Sequence, residues 1–490
     1  MGGGGGSMDA SMDARARRKS YMGGMGSRGS DRDLPREGPV RFGLTAQSSI
    51  AHRVRGPPPG CPAGGARGGA WAGSGSDGGR GRGAQVMKGK GWIETDGDDW
   101  DIFYADVGWI HENIPYAGAA SGGLRLSDHQ RVNHFPNHVE LTRKDLMAKN
   151  LKRMKRALEK DGRLEEAEEY DILPTSYNLP SEYALFVRSY KDIKQSGEQQ
   201  LWIMKPIGRA QGKGIFIVNK LSQMEAWMKE RGTEKADNCC YEDYVCQRYI
   251  HNPYLVCGRK FDMRLYALCL SYVPLKVYLY REGFARFTSA RYNLTKESLQ
   301  NNFIHLTNHA IQKHDVAYDP NTTDLKWPIR NFKLHLIGEH GQEVADKVYD
   351  DIQKLIIHSL KAVQNTIIND KHCFEMYGYD IMIDENLKPW LIEVNASPSM
   401  SADTDTDRKL KTGLLEDMFS CVDMENNFGG RCPPRVGSFD LIHDENGIVK
   451  SETLSSVGST LGCCNDRERQ NRTMKRQIRA AGNRQVAPSR

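Results

Sequence analysis

The chain has 490 residues, room for more than one domain, and a formal net charge of +6 that is unevenly placed. Residues 1–90 carry 15 Lys/Arg against 6 Asp/Glu and residues 466–490 carry 8 against 2, so the body between them is net −9. No run of about 18 apolar residues occurs, so no membrane-spanning helix is expected. The eleven cysteines show no paired CxxC spacing and no secretory signal accompanies them, so they read as reduced thiols of a cytosolic protein.

Residues 1–90 are rich in Gly, Ser, Ala, Pro and Arg, with low-complexity runs at 2–6 and 78–83. Few apolar residues are available to offset ordering entropy, and a disordered Gly/Arg-rich tail is expected. Its Gly-Arg runs could hold RNA phosphates by charge, but no paired aromatic platform stands beside them, so nucleic acid is not an expected partner. Further along, Arg143-Lys144, Lys149, Lys152-Arg153 and Lys155-Arg156 fall at helical spacing. They form a basic face, either solvated or a docking patch for an acidic partner that the negative body would otherwise repel.

Leu201 to Val218 reads as a strand, a glycine-rich loop and a strand. Lys205 ends the first apolar run and Pro206 stops further pairing. Gly208, Gly212 and Gly214 free the backbone to wrap a phosphate, with Gln211 and Lys213 adding a donor and a charge; a flexible hairpin is the plainer alternative. The Gly208–Gly212 spacing is one short for a Walker A loop and no Ser or Thr follows Lys213; GxGxxG before a helix is also absent. Gln247-Arg248-Tyr249-Ile250 ends the next apolar-polar run. In Gly258 to Tyr266, Lys260, Asp262 and Arg264 alternate and share one strand face. Such charges are costly if buried unpaired, so they mark either a phosphate or carboxylate site or a solvated strand. Val344 to Ile367 shows an apolar stripe at helical spacing, expected to be core.

Gly378 to Pro398 is the most informative stretch. Tyr379–Ile383 and Trp390–Val394 alternate about turn-type residues 384–388, a β-hairpin. Glu393 and Asn395 then point the same way, and Asp380 can face them from the partner strand. Two carboxylates and an amide give oxygen-only ligation suited to Mg²⁺, unless the hairpin simply turns a polar face to solvent. Thr307 and Asn308, in Phe303 to Asn308, can add a hydroxyl and an amide near that metal. From about Arg467 the chain is basic and is expected to be poorly ordered.

Five motifs in order carry a resemblance: Trp-x-x-Lys-Pro, Gln-Gly-Lys-Gly-Ile, Gly-Arg-Lys-Phe-Asp-x-Arg, His-Leu-Thr-Asn and Trp-Leu-x-Glu-Val-Asn-Ala-Ser-Pro. Together they resemble the tubulin tyrosine ligase-like family, from about Gly91 to Asp466, and most closely its polyglutamylase branch. The branch matches are Phe135–Lys144, Lys371–Glu375, Gly437–Asp440 and Leu461–Asp466. The resemblance implies an α/β ATP-grasp fold. Its catalytic domain would span 91–425, with an N-terminal subdomain at 91–200, a central one at 201–255 and a C-terminal one at 256–425, between disordered tails. Residues 426–490 would be a partly disordered extension. Val40-Arg41-Phe42 resembles the family's first strand and Val86 to Trp92 the segment after it, so the Pro/Gly-rich stretch between them is an insertion or a misread gene segment. The residues after Asn308 are His309-Ala310, where some branches have Tyr-Ser, and Cys257-Gly258 stands where Gly-Gly is usual; neither removes a charged ligand.

The resemblance also implies roles. Lys205, Gln211, Gly212 and Lys260 would bind ATP phosphates, and Gln247, Arg248, Tyr249 and Ile250 would line the adenine pocket. Thr307 and Asn308 would touch ribose and metal; Asp380, Glu393 and Asn395 would hold Mg²⁺. Asp262 and Arg264 would orient phosphates and the reacting carboxylate. Arg286, Lys326 and Lys411 would grip the incoming amino acid, and three cations suit glutamate with its two carboxylates. The implied reaction turns a glutamate carboxylate on tubulin into an acyl phosphate, which the amine of free L-glutamate attacks. No base for that amine is evident in the sequence. Microtubules, the cytoskeleton, and the axoneme and basal body of a cilium or flagellum are the expected locations, with accessory subunits possible partners. The competing readings are a glycine or tyrosine ligase and a non-catalytic cytoskeletal adaptor; an adaptor has no need of Lys205, Asp380, Glu393 and Asn395.

Overall fold

The computed structural model describes residues 38–44, 81–97, 99–114, 124–233, 242–315, 325–402, 404–449 and 460–463, with a few positions between 471 and 478. Met1–Gly38 and Pro39–Arg490 separate as two units; Gly38 alone of the first is described, and every sheet and helix described belongs to the second.

Three sheets carry the fold. The first is parallel, with β1 (Arg41–Leu44), β2 (Ile93–Glu94), β3 (Ile102–Tyr104) and β4 (Arg131–Val132) in the order β2-β1-β3-β4. β1 and the helix Arg82–Gly89 fall inside the stretch 1–90, and they correct the expectation that all of it is disordered. Phe42 is fully buried, and Ala84, Val86 and Met87 bury with Trp92 and Phe419 in one cluster. The glycine-rich average of ninety residues hides these few apolar side chains. Val40 and Ile93 are joined directly, Ile93 N–H to Val40 carbonyl at 2.9 Å, so the two family-like fragments meet in one sheet. The stretch between them, 45–80, lies outside the described residues, as does most of the chain beyond Cys463.

The second sheet is antiparallel: β5 (Ser176–Leu179), β6 (Trp202–Pro206), β7 (Phe216–Val218) and β8 (Tyr244–Arg248), in the order β5-β8-β6-β7. It has its own core of Leu179, Phe186, Trp202, Met204, Val218, Met224 and Cys246. β5 precedes residue 201, where a central subdomain was expected to start; its Ser-Tyr-Asn-Leu is too short and mixed to show alternation. Pairing of β6 with β7 stops at Met204, while Pro206 still registers against Tyr244 of β8.

The third sheet has nine strands: β9 (Phe261–Tyr272), β10 (Leu275–Tyr280), β11 (Phe284–Phe287), β12 (Lys326–Pro328), β13 (Glu375–Ile383), β14 (Pro389–Asn395), β15 (Arg435–Val436), β16 (Phe439–Asp444) and β17 (Gly447–Ile448). β9 organises it, pairing with β11 and β10 along one edge and with β13 along the other. β13 is buried at every residue, as a strand covered on both faces must be. The helix Gln342–Gln364 buries the expected stripe, including Val348, Ile352, Leu355, Ile356, Leu360 and Val363, although Val344 is exposed. β15 to β17 lie beyond residue 425, so the stretch 426–448 completes this sheet instead of extending from it. No helix among the described residues is long and apolar enough to cross a membrane.

Candidate active site

A cavity opens where β6, the glycine loop and the end of β8 face β9, β13 and β14. Lys205, Gln211, Gly212, Gln247, Arg248, Tyr249, Ile250, Lys260, Asp262, Thr307, Asn308, Asp380 and Glu393 all line it. Arg264, Arg286, Asn395, Lys326 and Lys411 do not, and reach it only through neighbours. The loop between β6 and β7 puts Gln211, Gly212 and Gly214 at positive φ. At Gly212 a Cβ would meet Ile311 Cδ1 at 2.5 Å and Asn308 Oδ1 at 3.2 Å, so only glycine allows the loop to close onto the Thr307-Asn308 segment.

The third sheet supplies a charged wall. The expected hairpin forms, with Asp380 opposite Glu393 and Gly378 opposite Asn395. Across β13 and β9, Asp380 faces Arg264; across β9 and β11, Asp262 faces Arg286; across β11 and β12, Arg286 faces Lys326. Arg264 grips Asp380 through two bonds of 2.5 and 3.0 Å. Arg286 grips Asp262 at 2.7 and 2.6 Å and also reaches Asp380 at 2.8 Å. Thr307 donates to Asp262 at 2.7 Å. Burial would raise the Asp380 carboxyl, but the Arg264 and Arg286 guanidiniums outweigh it and hold the group well below the usual carboxylate range. Glu393 moves the other way, pushed up by burial and by the Asp380 charge beside it.

Such a carboxylate pair, one member resisting ionisation because of the other, is the donor set a divalent cation relieves, and oxygen donors suit Mg²⁺. Asn395 lies beside it, its amide donating to the Gly378 carbonyl at 3.2 Å and standing 3.5 Å from Glu393. The oxygen donors of these residues fit the metal read from the sequence, and Asp380, already bonded to two arginines, would be shared with it.

Two buried lysines also line the cavity. Lys205 donates to Gln247 Oε1 at 2.6 Å, and Gln247 is held by the Ser176 hydroxyl at 2.9 Å. Lys260 donates to the Tyr249 hydroxyl at 2.9 Å and lies 4.3 Å from the centroid of that ring. Burial lowers Lys205 to about 8 against the pull of Glu393; burial and then Lys205 itself lower Lys260 to about 7. His305 closes the line, 2.8 Å from the Tyr249 hydroxyl and 2.9 Å from the Ser298 carbonyl. Burial, then Lys260, lower it to about 4, so the neutral ring donates from Nε2 to Ser298 and accepts from Tyr249 at Nδ1. Two ammoniums bonded to neutral oxygens in a cavity make a site for a polyanion.

Residues 124–428 match the Tubulin-tyrosine ligase family. The chain belongs to that family. It is 42% identical over 424 residues to the "Probable tubulin polyglutamylase TTLL9" of Bos taurus, covering 79% of this chain and 89% of the relative. It is 45% identical over 379 residues to the "Probable alpha-tubulin polyglutamylase Ttll1" of Tetrahymena thermophila, covering 73% and 89%. Against the "Tubulin polyglutamylase TTLL5" of Homo sapiens it is 37% identical over 310 residues, 61% of this chain and 22% of that much longer one. As a member of this ligase family the protein is an ATP-dependent ligase.

The remaining cations of this ligase sit beside the wall. Lys326 and Lys411 converge on Asp407 at 3.3 and 3.1 Å, and Lys411 also bonds the Ser401 carbonyl. Sequence reasoning missed Lys144, Ser176 and His305. Lys144 was grouped with the basic helical face, but its side chain turns into the cavity, 3.7 Å from Glu393 and 3.2 Å from the Arg209 carbonyl. Lys152 and Lys155 are likewise paired, with Glu182 and Asp171, and the exposed Arg143 with Asp145, which leaves Lys149, Arg153 and Arg156 as the remaining exposed part of that face. His305 stood inside a quoted motif, and its signal was a histidine two residues before Thr307.

Proposed function

We propose that the protein is a tubulin polyglutamylase, ligating L-glutamate to glutamate side chains of tubulin tails with ATP and Mg²⁺ in an ATP-grasp fold. The observation that carries this reading is the one cavity lined by buried Lys205 and Lys260 together with the Asp380–Glu393 pair. The parallel sheet corresponds to an N-terminal subdomain, the sheet of β5 to β8 to the central one and the nine-stranded sheet to the C-terminal one.

Lys205, Lys260 and the Gln211-Gly212 turn cradle the nucleotide phosphates, and Gln247 to Ile250 line the base. Thr307 and Asn308 reach the ribose and metal. Asp380, Glu393 and Asn395 would hold Mg²⁺, which would supply charge neutralisation at the phosphates. ATP converts the acceptor carboxylate to an acyl phosphate, relieving its poor electrophilicity. Arg264 and Asp262 hold the wall against which phosphate and acceptor are aligned. Arg286 bonds its carboxylates through Nε and Nη2, leaving Nη1 to meet a carboxylate of the incoming glutamate; Lys326 and Lys411 supply charge for the second. Lys149, Arg153 and Arg156 offer acidic tubulin tails a basic face on a net-negative body. Work on microtubules of the cytoskeleton, and on the axoneme and basal body, with or without accessory subunits, follows from the family resemblance.

Incubating the purified protein with microtubules, ATP, Mg²⁺ and labelled glutamate, then mapping tubulin peptides by mass spectrometry, tests the reading. Label in isopeptide linkage to tail glutamates is expected. Incorporation of glycine or tyrosine instead, or no ATP-dependent incorporation, overturns it.

A further inference from the structure

Lys260 stands at the head of a line of side chains that phosphate binding alone does not call for. Tyr249, Lys260 and His305 are each 3% exposed, and all three line the cavity. They come from separate parts of the chain: just after β8, just before β9, and the last residue of the helix Asn302–His305. Lys260 Nζ donates to Tyr249 Oη at 2.9 Å, Tyr249 Oη lies 2.8 Å from His305 Nδ1, and His305 Nε2 lies 2.9 Å from the Ser298 carbonyl.

The far end of this line fixes the direction of every bond in it. A carbonyl can only accept, so the hydrogen of the His305 ring is on Nε2. An imidazolium would put a second buried cation beside Lys260, so the ring is neutral and Nδ1 keeps its one lone pair. The single O–H of Tyr249 goes to that lone pair. Tyr249 therefore turns only lone pairs toward Lys260, which as an ammonium has donors and no acceptor. Tyr292 does not compete for His305, because its hydroxyl donates to the His251 carbonyl at 2.9 Å.

Aromatic rings hold the ammonium in that attitude. Lys260 Nζ is 4.3 Å from the centroid of Tyr249 and 5.8 Å from that of Tyr292, and both rings meet His305 edge-on at 5.7 Å. Of the three N–H groups of an ammonium, Tyr249 takes one and the others remain for an anion in the cavity. A hydroxyl free to rotate could turn its hydrogen toward Lys260 and push the ammonium out of line. His305 removes that freedom.

We propose that His305 is a positioning residue for the nucleotide: by taking the Tyr249 hydrogen it makes that hydroxyl a fixed acceptor, which aims the Lys260 ammonium at the phosphates. This rests on the ligase reading and adds to it a residue that acts through two others. The plainer alternative is a structural one. His305 shares its segment with Thr307, which donates to Asp262 at 2.7 Å, so it could serve only to seat Thr307 and Asn308. The two roles differ in whether the effect of His305 passes through Lys260.

Calorimetric Kd values of the full chain for a non-hydrolysable ATP analogue with Mg²⁺ separate them. Asparagine at this position puts an amide oxygen near the place of Nδ1 and keeps an acceptor for Tyr249. Glutamine reaches the place of Nε2 and keeps the donor to Ser298. His305→Gln should weaken Kd about 10-fold, the scale of one hydrogen bond to a charged group, and His305→Asn by less than about threefold. In a Lys260→Met background His305→Gln should add less than about twofold, because the group it aims is gone. Equal weakening by the two histidine variants, or the whole 10-fold loss persisting without Lys260, overturns the proposal. If neither histidine variant folds, Tyr249→Phe decides: it should weaken Kd about 10-fold with Lys260 present and less than about twofold with Lys260→Met, and an unchanged Kd overturns the proposal. A wild-type chain that binds no nucleotide overturns the ligase reading, and the proposal with it; one that binds nucleotide while the variants break these expectations overturns the proposal alone.

Discussion

The two pairs of buried cations around the cavity are used differently. Arg264 and Arg286 are bound in bidentate fashion to carboxylates of their own sheet, whereas Lys205 and Lys260 bond the neutral oxygens of Gln247 and Tyr249. A guanidinium keeps its charge on burial and its planar fork matches a carboxylate, so arginines build a rigid wall. A buried ammonium gives up its proton more readily, and both lysines are lowered, to about 8 and about 7. The arginines hold the protein's own anions in place, and the lysines remain to be satisfied by a ligand.

The largest effect is expected at the carboxylate paired with Asp380. Glu393→Gln should cut glutamate transfer by about a thousandfold, the scale of losing a transition-state electrostatic contact. Melting should shift by no more than a few degrees, because Glu393 is already hard to ionise. Normal turnover of that variant with ATP and Mg²⁺ would contradict the metal assignment. Next comes Arg264→Ala, which strands a buried Asp380 and should cost about 3–5 kcal/mol in urea unfolding. A loss below about 1 kcal/mol would show that Arg286 alone satisfies the carboxylate.

Lys260→Met should invert that pattern. It removes a lowered ammonium, so stability should hold or rise, while nucleotide Kd in calorimetry weakens by about 10- to 100-fold. A variant that loses stability and keeps its affinity would reverse the contrast between lysines and arginines.

The smallest effect is with pH. The folded lysines titrate near 7 and 8 against about 10.4 when unfolded, so above those values the unfolded chain holds more protons. Their destabilising contribution is full below about pH 7 and is lost as pH rises toward 10.4. Anion binding favours the protonated forms, so nucleotide affinity should fall severalfold from pH 6.5 to 9, with protons taken up on binding. An affinity that is flat or rises over that window would remove the lysines from the phosphate site.

Much of this contrast could be read from spacing within a single segment. The alternation of Tyr379–Ile383 and Trp390–Val394 placed Asp380, Glu393 and Asn395 together because a hairpin is local. The shared face of Lys260, Asp262 and Arg264 followed from strand geometry alone. What those side chains touch did not, since Asp262 meets Arg286 and Arg264 meets Asp380 across 24 and 116 residues of chain. Lys144 was misplaced for the same reason: helical spacing shows which residues share a face, not that Glu393 lies in front of one of them. β1 was legible only through the family resemblance of Val40-Arg41-Phe42, because its burial depends on distant Phe419 and Tyr280 in one cluster. The contact between Glu375 and His134 carried no local signal, as the two meet only when β13 passes beside the loop after β4.

The most direct test is a crystal structure with Mg²⁺ and a non-hydrolysable ATP analogue. The terminal phosphates are expected within hydrogen-bond reach of Lys205 and Lys260, with the ion between them and the Asp380–Glu393 pair. A nucleotide seated elsewhere, or phosphates out of contact with both lysines and both carboxylates, would contradict the site and the ligase chemistry assigned to it.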